Sequence, residues 1–317
     1  MNSIPAGRKR SVSSRMKTWF ADFRSQWQMQ SMMLPGVIFM IVFNFIPIYG
    51  LTLAFKSYSV TDTIAGAKWN GWQNFQTIMN DKYFWQAVWN TVGISAIKLT
   101  IEFFLPIALA IMIYEVNWLP FKKIVQTITY LPHFLSWIIL GGMLINWMSS
   151  NGLINQFLGL LGIGSHANYM LDANKYWNIA AWSDVWKEVG WGTILYLATM
   201  AGIDPTYYEA AEMDGASKLR QIWSITLPGI SSIISLNLIL SVSGLFGSNL
   251  DQTLVLMNSQ NQPRAEVINS YVYRVGLTQG DFSYATAVGL GVSVISVILL
   301  VAANMVTKKL NDNQSVL

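Results

Sequence analysis

Cysteine is absent from the sequence, and histidine occurs only at His133 and His166. The first absence removes disulfides, thiolate nucleophiles and thiolate metal ligands. The second leaves no basis for a multi-histidine metal centre. Charge is scarce as well, at 11% of 317 residues, against about 25% in an ordinary soluble domain. No G-x-x-x-x-G-K-[ST] loop is present, so no ATP hydrolysis by this chain is expected. H-E-x-x-H and G-x-S-x-G are missing too, which removes the simplest zinc-peptidase and serine-hydrolase readings. The expectation is a chain that makes and breaks no covalent bonds, with no catalytic residue, no metal ligand and no cofactor of its own.

What remains is apolar. Hydrophobic residues make up 53% of the chain and the mean hydropathy is +0.38. The 14 Trp and 13 Tyr are rings of the kind that settle at membrane interfaces. The net charge of +4 is spread along the chain, which speaks against nucleic acid as a partner and for the lipid of an inner leaflet. A hydrocarbon core of roughly 30 Å needs about 20 apolar residues per helix. Six segments qualify, at 32–55, 85–113, 122–147, 180–200, 226–247 and 284–306. The expected fold is therefore an all-α membrane protein with six transmembrane helices. The first apolar run is too long for a signal peptide and lacks a small-residue cleavage site, which fits an uncleaved span.

Basic residues orient these spans. Arg8, Lys9, Arg10, Arg15, Lys17, Arg24, Lys122, Lys123, Lys218, Arg220, Lys308 and Lys309 fall on one side. Lys56, Lys68, Lys82, Lys175, Arg264 and Arg274 fall on the other, spread over longer loops. The positive-inside rule then puts both termini in the cytoplasm. The organisation expected is a cytoplasmic basic arm at 1–31, a six-helix membrane domain at 32–310 and a cytoplasmic tail at 311–317. Within the arm, Trp19, Phe20, Phe23 and Trp27 share one helical face. Two readings stay open there: an interfacial amphipathic helix, or an orientation signal alone.

One cytoplasmic loop, 203–228, has a pattern of its own, EAAEMDGASKLRQIWSITLP from Glu209 to Pro228. Asp204 before Pro205 is a helix start, since Asp caps well and Pro suits the first helical position. Asp214-Gly215 ends that helix, because Gly takes backbone angles other residues avoid. A second short helix follows, with Leu219, Ile222 and Trp223 on one face, and Pro228 opens the next span. Physically this reads either as a docking surface or as an interfacial hairpin with no partner.

The filled pattern Glu209-Ala210-Ala211, Asp214-Gly215, Ile225-x-Leu227-Pro228 resembles the EAA motif of permease subunits of bacterial ABC importers. The segments FNFIPIYGLTLAF (43–55), QTITYLPHFLSW (126–137), WKEVGWGTILYLATMAGIDP (186–205) and INSYVYRVGL (268–277) resemble the LplB-type branch of oligosaccharide permeases, within the maltose-type superfamily. The resemblance covers roughly 32–310. It implies that the Glu209 loop forms coupling helices seated on a cytoplasmic ATPase, two copies of which bind ATP and Mg. It further implies a second homologous permease subunit, an extracellular solute-binding lipoprotein and an oligosaccharide substrate, in a bacterial plasma membrane.

Candidate residues along a sugar path come from polar groups inside spans, where a charge costs about 2.5–3.5 kcal/mol on insertion scales unless paired or hydrated. Lys98 and Glu102 are spaced to pair along one helix face, with Thr91 and Ser95 extending the stripe. Asn237, Ser241, Gly244 and Ser248 recur at helical spacing, on a span the resemblance puts along the pathway. Asp184, Lys187 and Glu188 are read near the outer end of the fourth span, beside Trp182, Trp186 and Trp191. Each stripe has a plain alternative as a helix–helix contact or an aromatic belt. His133 is read as a packed helix residue. The long loops 148–179 and 249–283 are the expected surface for a binding protein. Two other functions stay open: a stand-alone ion-coupled secondary sugar carrier, and an enzyme acting on lipid-linked sugars.

Overall fold

The structure, a computed structural model, describes residues 27–163, 166–247 and 249–310. The tail at 311–317, the arm before Trp27 and Ser248 lie outside the described residues. The chain divides into two units, one ending at Leu53 and one beginning at Ala54.

The first unit is dominated by a helical rod, α1 (Trp27–Phe55), which runs a little past the unit boundary. The α-helical ladder passes through a π-turn at Ile41–Phe45, just before Pro47. Pro removes one backbone donor and crowds the preceding turn, so a local change of hydrogen-bond register is expected there.

In the second unit a two-residue antiparallel ladder, β1 (Lys56–Ser57) with β2 (Lys68–Trp69), departs from the all-α expectation. After α2 (Gln73–Asn80) comes α3 (Lys82–Glu115), a 34-residue helix capped by Asp81, which accepts from the Tyr83 amide. The next elements are α4 (Leu119–Tyr130), a 3-10 turn at Leu131–Phe134, α5 (Trp137–Trp147) and α6 (Leu153–Leu160). Then follow α7 (Tyr176–Met200), α8 (Pro205–Met213), α9 (Lys218–Gly229), α10 (Ser231–Ser243), α11 (Leu250–Leu256), α12 (Ile268–Tyr273) and α13 (Phe282–Leu310).

Two of the expected spans are not straight. α4 with its 3-10 turn meets α5 at 101°. Pro132 lies in that turn and Ser136 restarts the helix by capping the Ile139 amide. α9 meets α10 at 63°, where Ile230 leaves helical geometry just after Pro228-Gly229. The helical break thus follows Pro228. Among the described residues, three helices are long and apolar enough alone to cross a membrane: α1, α3 and α13. Each bent pair adds one if counted as a single span. α7 has 25 residues, about 37 Å at 1.5 Å per residue, but every 18-residue stretch of it holds Asp184, Lys187 and Glu188.

Small residues decide how closely the helices approach. A Cβ on Gly190 of α7 would lie 1.9 Å from the Thr129 carbonyl oxygen of α4, and one on Gly93 of α3 would strike the Trp177 ring at 2.3 Å. Glycine there permits backbone-to-neighbour contact. One buried cluster joins Ile107 and Ala110 of α3 with Tyr196 and Met200 of α7 and Ile230. Another joins Ile78, Ala87, Ile268, Tyr271, Tyr284 and Val288. Many large apolar side chains instead point outward, such as Ile138, Val297 and Ile298, as a lipid solvent demands. Where α3, α12 and α13 meet, the Asp81 carboxylate accepts from Tyr271 Oη and, at 3.0 Å, from Tyr284 Oη. Burial pushes the Asp81 carboxyl up, but the donors Tyr271, the Tyr83 amide, Tyr284 and the Phe84 amide outweigh it and hold it below its usual range.

Candidate functional site

Asp204 caps α8 by accepting from the Thr206 amide at 2.9 Å, which holds its carboxyl below the usual range. The helix ends in a left-handed turn. Gly215 has φ +75°, its amide reaches the Glu212 carbonyl at 3.0 Å, and the Ala216 amide reaches the Ala211 carbonyl at 2.9 Å. That pair of bonds is a Schellman closure, which needs a residue free to adopt positive φ. Ser217 caps the next helix through the Arg220 amide.

Across the turn Lys218 Nζ reaches Glu212 Oε1 at 2.8 Å and Gln221 Oε1 at 3.1 Å. The Lys218 hydrogen bond, then its charge, lowers the Glu212 carboxyl; the same hydrogen bond raises the Lys218 ammonium. Tyr208 Oη bonds Thr226 Oγ1 at 2.9 Å and ties α8 to the π-turn of α9. The outer face stays bare: Glu209 and Ala210 are exposed, as are Tyr207, Met213, Leu219 and Trp223. A cavity of about 480 Å³ opens beside the turn, lined by Ala211, Asp214, Gly215, Arg220, Gln221 and Ile225 among others. It gathers four of the residues nominated from the motif. Glu209, Ala210, Leu227 and Pro228 lie outside its lining.

A second polar region lies between α3 and α7. Lys98 forms its ion pair with Asp184 of α7, not along its own helix with Glu102. Lys187, 6% exposed, donates to the His133 carbonyl at 2.6 Å and to Glu188 Oε1 at 3.1 Å. The other Glu188 oxygen contacts His133 Nδ1 at 2.7 Å, and the His133 ring stacks on Trp191 with centroids 4.2 Å apart. His133 is thus packed and hydrogen-bonded, in a single 3-10 turn of helix rather than an α-helix, and links the bent α4–α5 pair to α7. The reason is backbone accounting: the 3-10 turn leaves carbonyls without helical partners, and a buried lysine supplies one. Asp184, Lys187 and Glu188 occupy the middle of α7 rather than one end.

Four of these five charged side chains are consumed in pairs. The fifth, Glu102, has an oxygen, Oε1, that is buried without a hydrogen-bond partner. It borders two cavities. One, of about 200 Å³, is lined by Glu102, Glu188, Trp191, Tyr196, Asn237 and Ser241, among others. The other, of about 190 Å³, includes Ser95, Lys98, Glu102, Ser241 and Gly244. Five nominated positions, Lys98, Glu102, Asn237, Ser241 and Gly244, thus converge. Trp186 does not; it packs against Trp147 at 6.2 Å. Thr91 and Ser95 spend their hydroxyls on the Ala87 and Leu245 carbonyls.

Sequence reasoning missed the partners of Lys98 and His133, although one signal was present. Asp184, Lys187, Glu188 and Trp191 repeat at intervals of three and four, a single helix face. The segments 148–179 and 249–283 are also tied together: Asn258 and Asn261 both donate to the Met170 carbonyl, at 3.0 and 2.9 Å.

Comparison with known proteins gives the following likenesses. Residues 103–312 match the family described as "Binding-protein-dependent transport system inner membrane component". The chain is 38% identical over 282 residues to the polygalacturonan/rhamnogalacturonan transport system permease protein YteP of Bacillus subtilis (strain 168), covering 89% of this chain and 88% of that protein. It is 34% identical over 315 residues to Protein LplB of the same organism, covering 98% and 99%. Among solved structures it is similar to a chain of a bacterial ABC transporter involved in the import of the acidic polysaccharide alginate. The TM-score there is 0.85 at 32% identity, over 93% of this chain and 99% of that one. A second crystal structure, of bacterial alginate ABC transporter in complex with alginate pentasaccharide-bound periplasmic protein, matches at 0.85 and 31%, covering 93% and 98%.

Proposed function

This chain belongs to the family of binding-protein-dependent transport system inner membrane components, and we propose that it is the permease subunit of an ATP-driven importer of oligosaccharides delivered by an extracellular binding protein. It is a transport subunit and not an enzyme. The relative YteP is named as a transport system permease protein, and the stand-alone ion-coupled carrier is not favoured.

The observation that carries the coupling role is the exposed turn at Gly215. Its backbone is fixed by the Schellman closure and the Glu212–Lys218 pair, while Glu209, Met213, Leu219 and Trp223 face outward. A rigid turn with a bare apolar rim can be pushed by a partner without deforming, and here the partner is a cytoplasmic ATPase, present in two copies and holding ATP and Mg. Glu209, Ala210, Ala211, Asp214, Gly215, Ile225, Leu227 and Pro228 form the coupling element.

The rest of the assembly follows from the same reading. α1, α3, the α4–α5 pair, α7, the α9–α10 pair and α13 make six spans in a bacterial plasma membrane, with both termini cytoplasmic. α7 can cross because its charges are paired within the protein. A second homologous permease completes the pathway, and the joined 148–179 and 249–283 segments receive the binding lipoprotein. Lys98, Glu102, Asn237, Ser241 and Gly244 line the sugar path.

The test is Glu209→Lys or Gly215→Pro in the assembled importer. ATPase association or ATP-coupled uptake falls while the binding protein still captures sugar; unchanged uptake sinks the coupling assignment.

A further inference from the structure

We propose that Glu188 and Trp191 form a sugar-ring subsite in the cavity between α3, α7 and α10, and that His133, standing behind them, is its positioning residue. The inference rests on the oligosaccharide-importer reading and deepens it by naming the group that aligns an acceptor and a ring on the path.

Glu188 and Trp191 are three positions apart on α7, so their side chains share one helical face, and both line the cavity of about 200 Å³. Together they supply what a saccharide ring takes from a binding site: an aromatic surface for its apolar face and a placed acceptor for its hydroxyls. Proximity alone does not hold them ready. Trp191 is 47% exposed and Glu188 is half-buried, and side chains left free to rotate lose that freedom when a ligand binds.

His133 holds both. Its ring lies against the Trp191 ring, 4.2 Å between centroids and 5° from parallel, while Phe134 meets the same indole edge-on at 6.0 Å. Through Nδ1 the imidazole reaches Glu188 Oε2 at 2.7 Å. A carboxylate only accepts, so Nδ1 carries the ring proton. Lys187 donates to the other oxygen, Oε1, at 3.1 Å. Each Glu188 oxygen thus has one protein donor and keeps a lone pair for a sugar hydroxyl. His133 is not in the cavity lining, so it acts through its two neighbours. Its backbone already docks the turn on α7, since Lys187 donates to the His133 carbonyl at 2.6 Å. The side chain goes instead to the two residues that face the cavity.

Substitution separates the two contacts. His133→Phe keeps a ring for Trp191 and removes the donor to Glu188; His133→Asn keeps a side-chain N–H and removes the ring. The natural absence of cysteine supplies the reporter, because Val189→Cys puts the single thiol of this chain in the cavity wall. In the assembled importer in nanodiscs, that thiol is reacted with N-ethylmaleimide and followed by the intact mass of this chain. The probes are a galacturonate trimer and a neutral galactose trimer, each added at rising concentration. At least one is expected to protect the thiol. His133→Phe and His133→Asn should each raise its half-protecting concentration about fivefold, the worth of one net contact, and His133→Ala about twentyfold.

The pattern of coupling identifies positioning. His133→Phe should add nothing in a Glu188→Ala background and keep its effect in Trp191→Leu; His133→Asn should do the reverse. A thiol that does not react, protection by neither trimer, protection indifferent to His133→Ala, or strict additivity in both backgrounds overturns the proposal. A lowered thermal midpoint with unchanged protection makes His133 a structural tie only, which also overturns it. ATP-dependent uptake of neither trimer by the unmodified complex overturns the importer reading itself, whatever the thiol shows.

Discussion

Replacing Lys98 by Met and Asp184 by Asn, singly and together, probes how the charged centre of α7 is tolerated. The side chains are 18% and 7% exposed, so each charge depends on the other rather than on water. Removing one partner of such a pair costs about 3–5 kcal/mol. The two single variants should nevertheless differ. With Asp184→Asn, Glu102 stands four residues from Lys98 on the same helix and takes over the pairing, so the loss is expected near 1–2 kcal/mol. With Lys98→Met, Asp184 and Glu102 face each other without a counter-charge, and the full 3–5 kcal/mol is expected. The double variant removes both charges together and should cost less than the sum of the singles by about 1–3 kcal/mol. Denaturant unfolding of the detergent-solubilised chain, followed by near-UV circular dichroism, measures all four species. A Lys98→Met protein as stable as Asp184→Asn, or strict additivity, would refute the pairing scheme.

Three further predictions follow from local geometry. At Gly215, φ is +75° and nothing lies within 4 Å of a Cβ, so only backbone strain opposes substitution. Asn should be tolerated, and Ala should destabilise the turn by about 1–2 kcal/mol, read as amide hydrogen exchange at Gly215 and Ala216. Gly190→Ala places a methyl 1.9 Å from a backbone carbonyl and should cost about 1–3 kcal/mol by overpacking, lowering the thermal midpoint without altering the turn at Gly215. Asp81, whose folded carboxyl is held below its usual range, contributes stability that is fully present above about pH 4 and is lost as pH falls through the lowered folded value. Tyr271→Phe should shrink that acid-dependent loss, seen as a smaller drop in thermal midpoint between pH 7 and pH 3.

The turn at Gly215 is legible because everything it needs is local: Asp204-Pro205 starts a helix, Gly215 ends it, and Ser217 starts the next. The bends were less so. Pro132 and Pro228 were visible, but they sit in apolar runs whose hydropathy reads as unbroken span, and the angles of 101° and 63° depend on what the helices pack against. Lys98 illustrates the other limit. A residue four positions away on the same helix is an obvious partner, yet Asp184, 86 positions along, won because α3 and α7 pack face to face. His133 was read as helical because the apolar pattern carries through it; its carbonyl and ring contacts to α7 are tertiary. The polar stripe of α10 was legible as a stripe, but Trp186 shows that a nearby aromatic need not join it.

The most direct measurement compares the chain alone with its assembled complex in proteoliposomes. If this is a permease driven by a partner ATPase, a labelled oligosaccharide enters only when the second permease, the ATPase, ATP and Mg, and the loaded binding protein are all present. Glu209→Lys should then abolish entry with the complex still folded. Uptake by the single chain under an ion gradient, without ATPase or ATP, would contradict it.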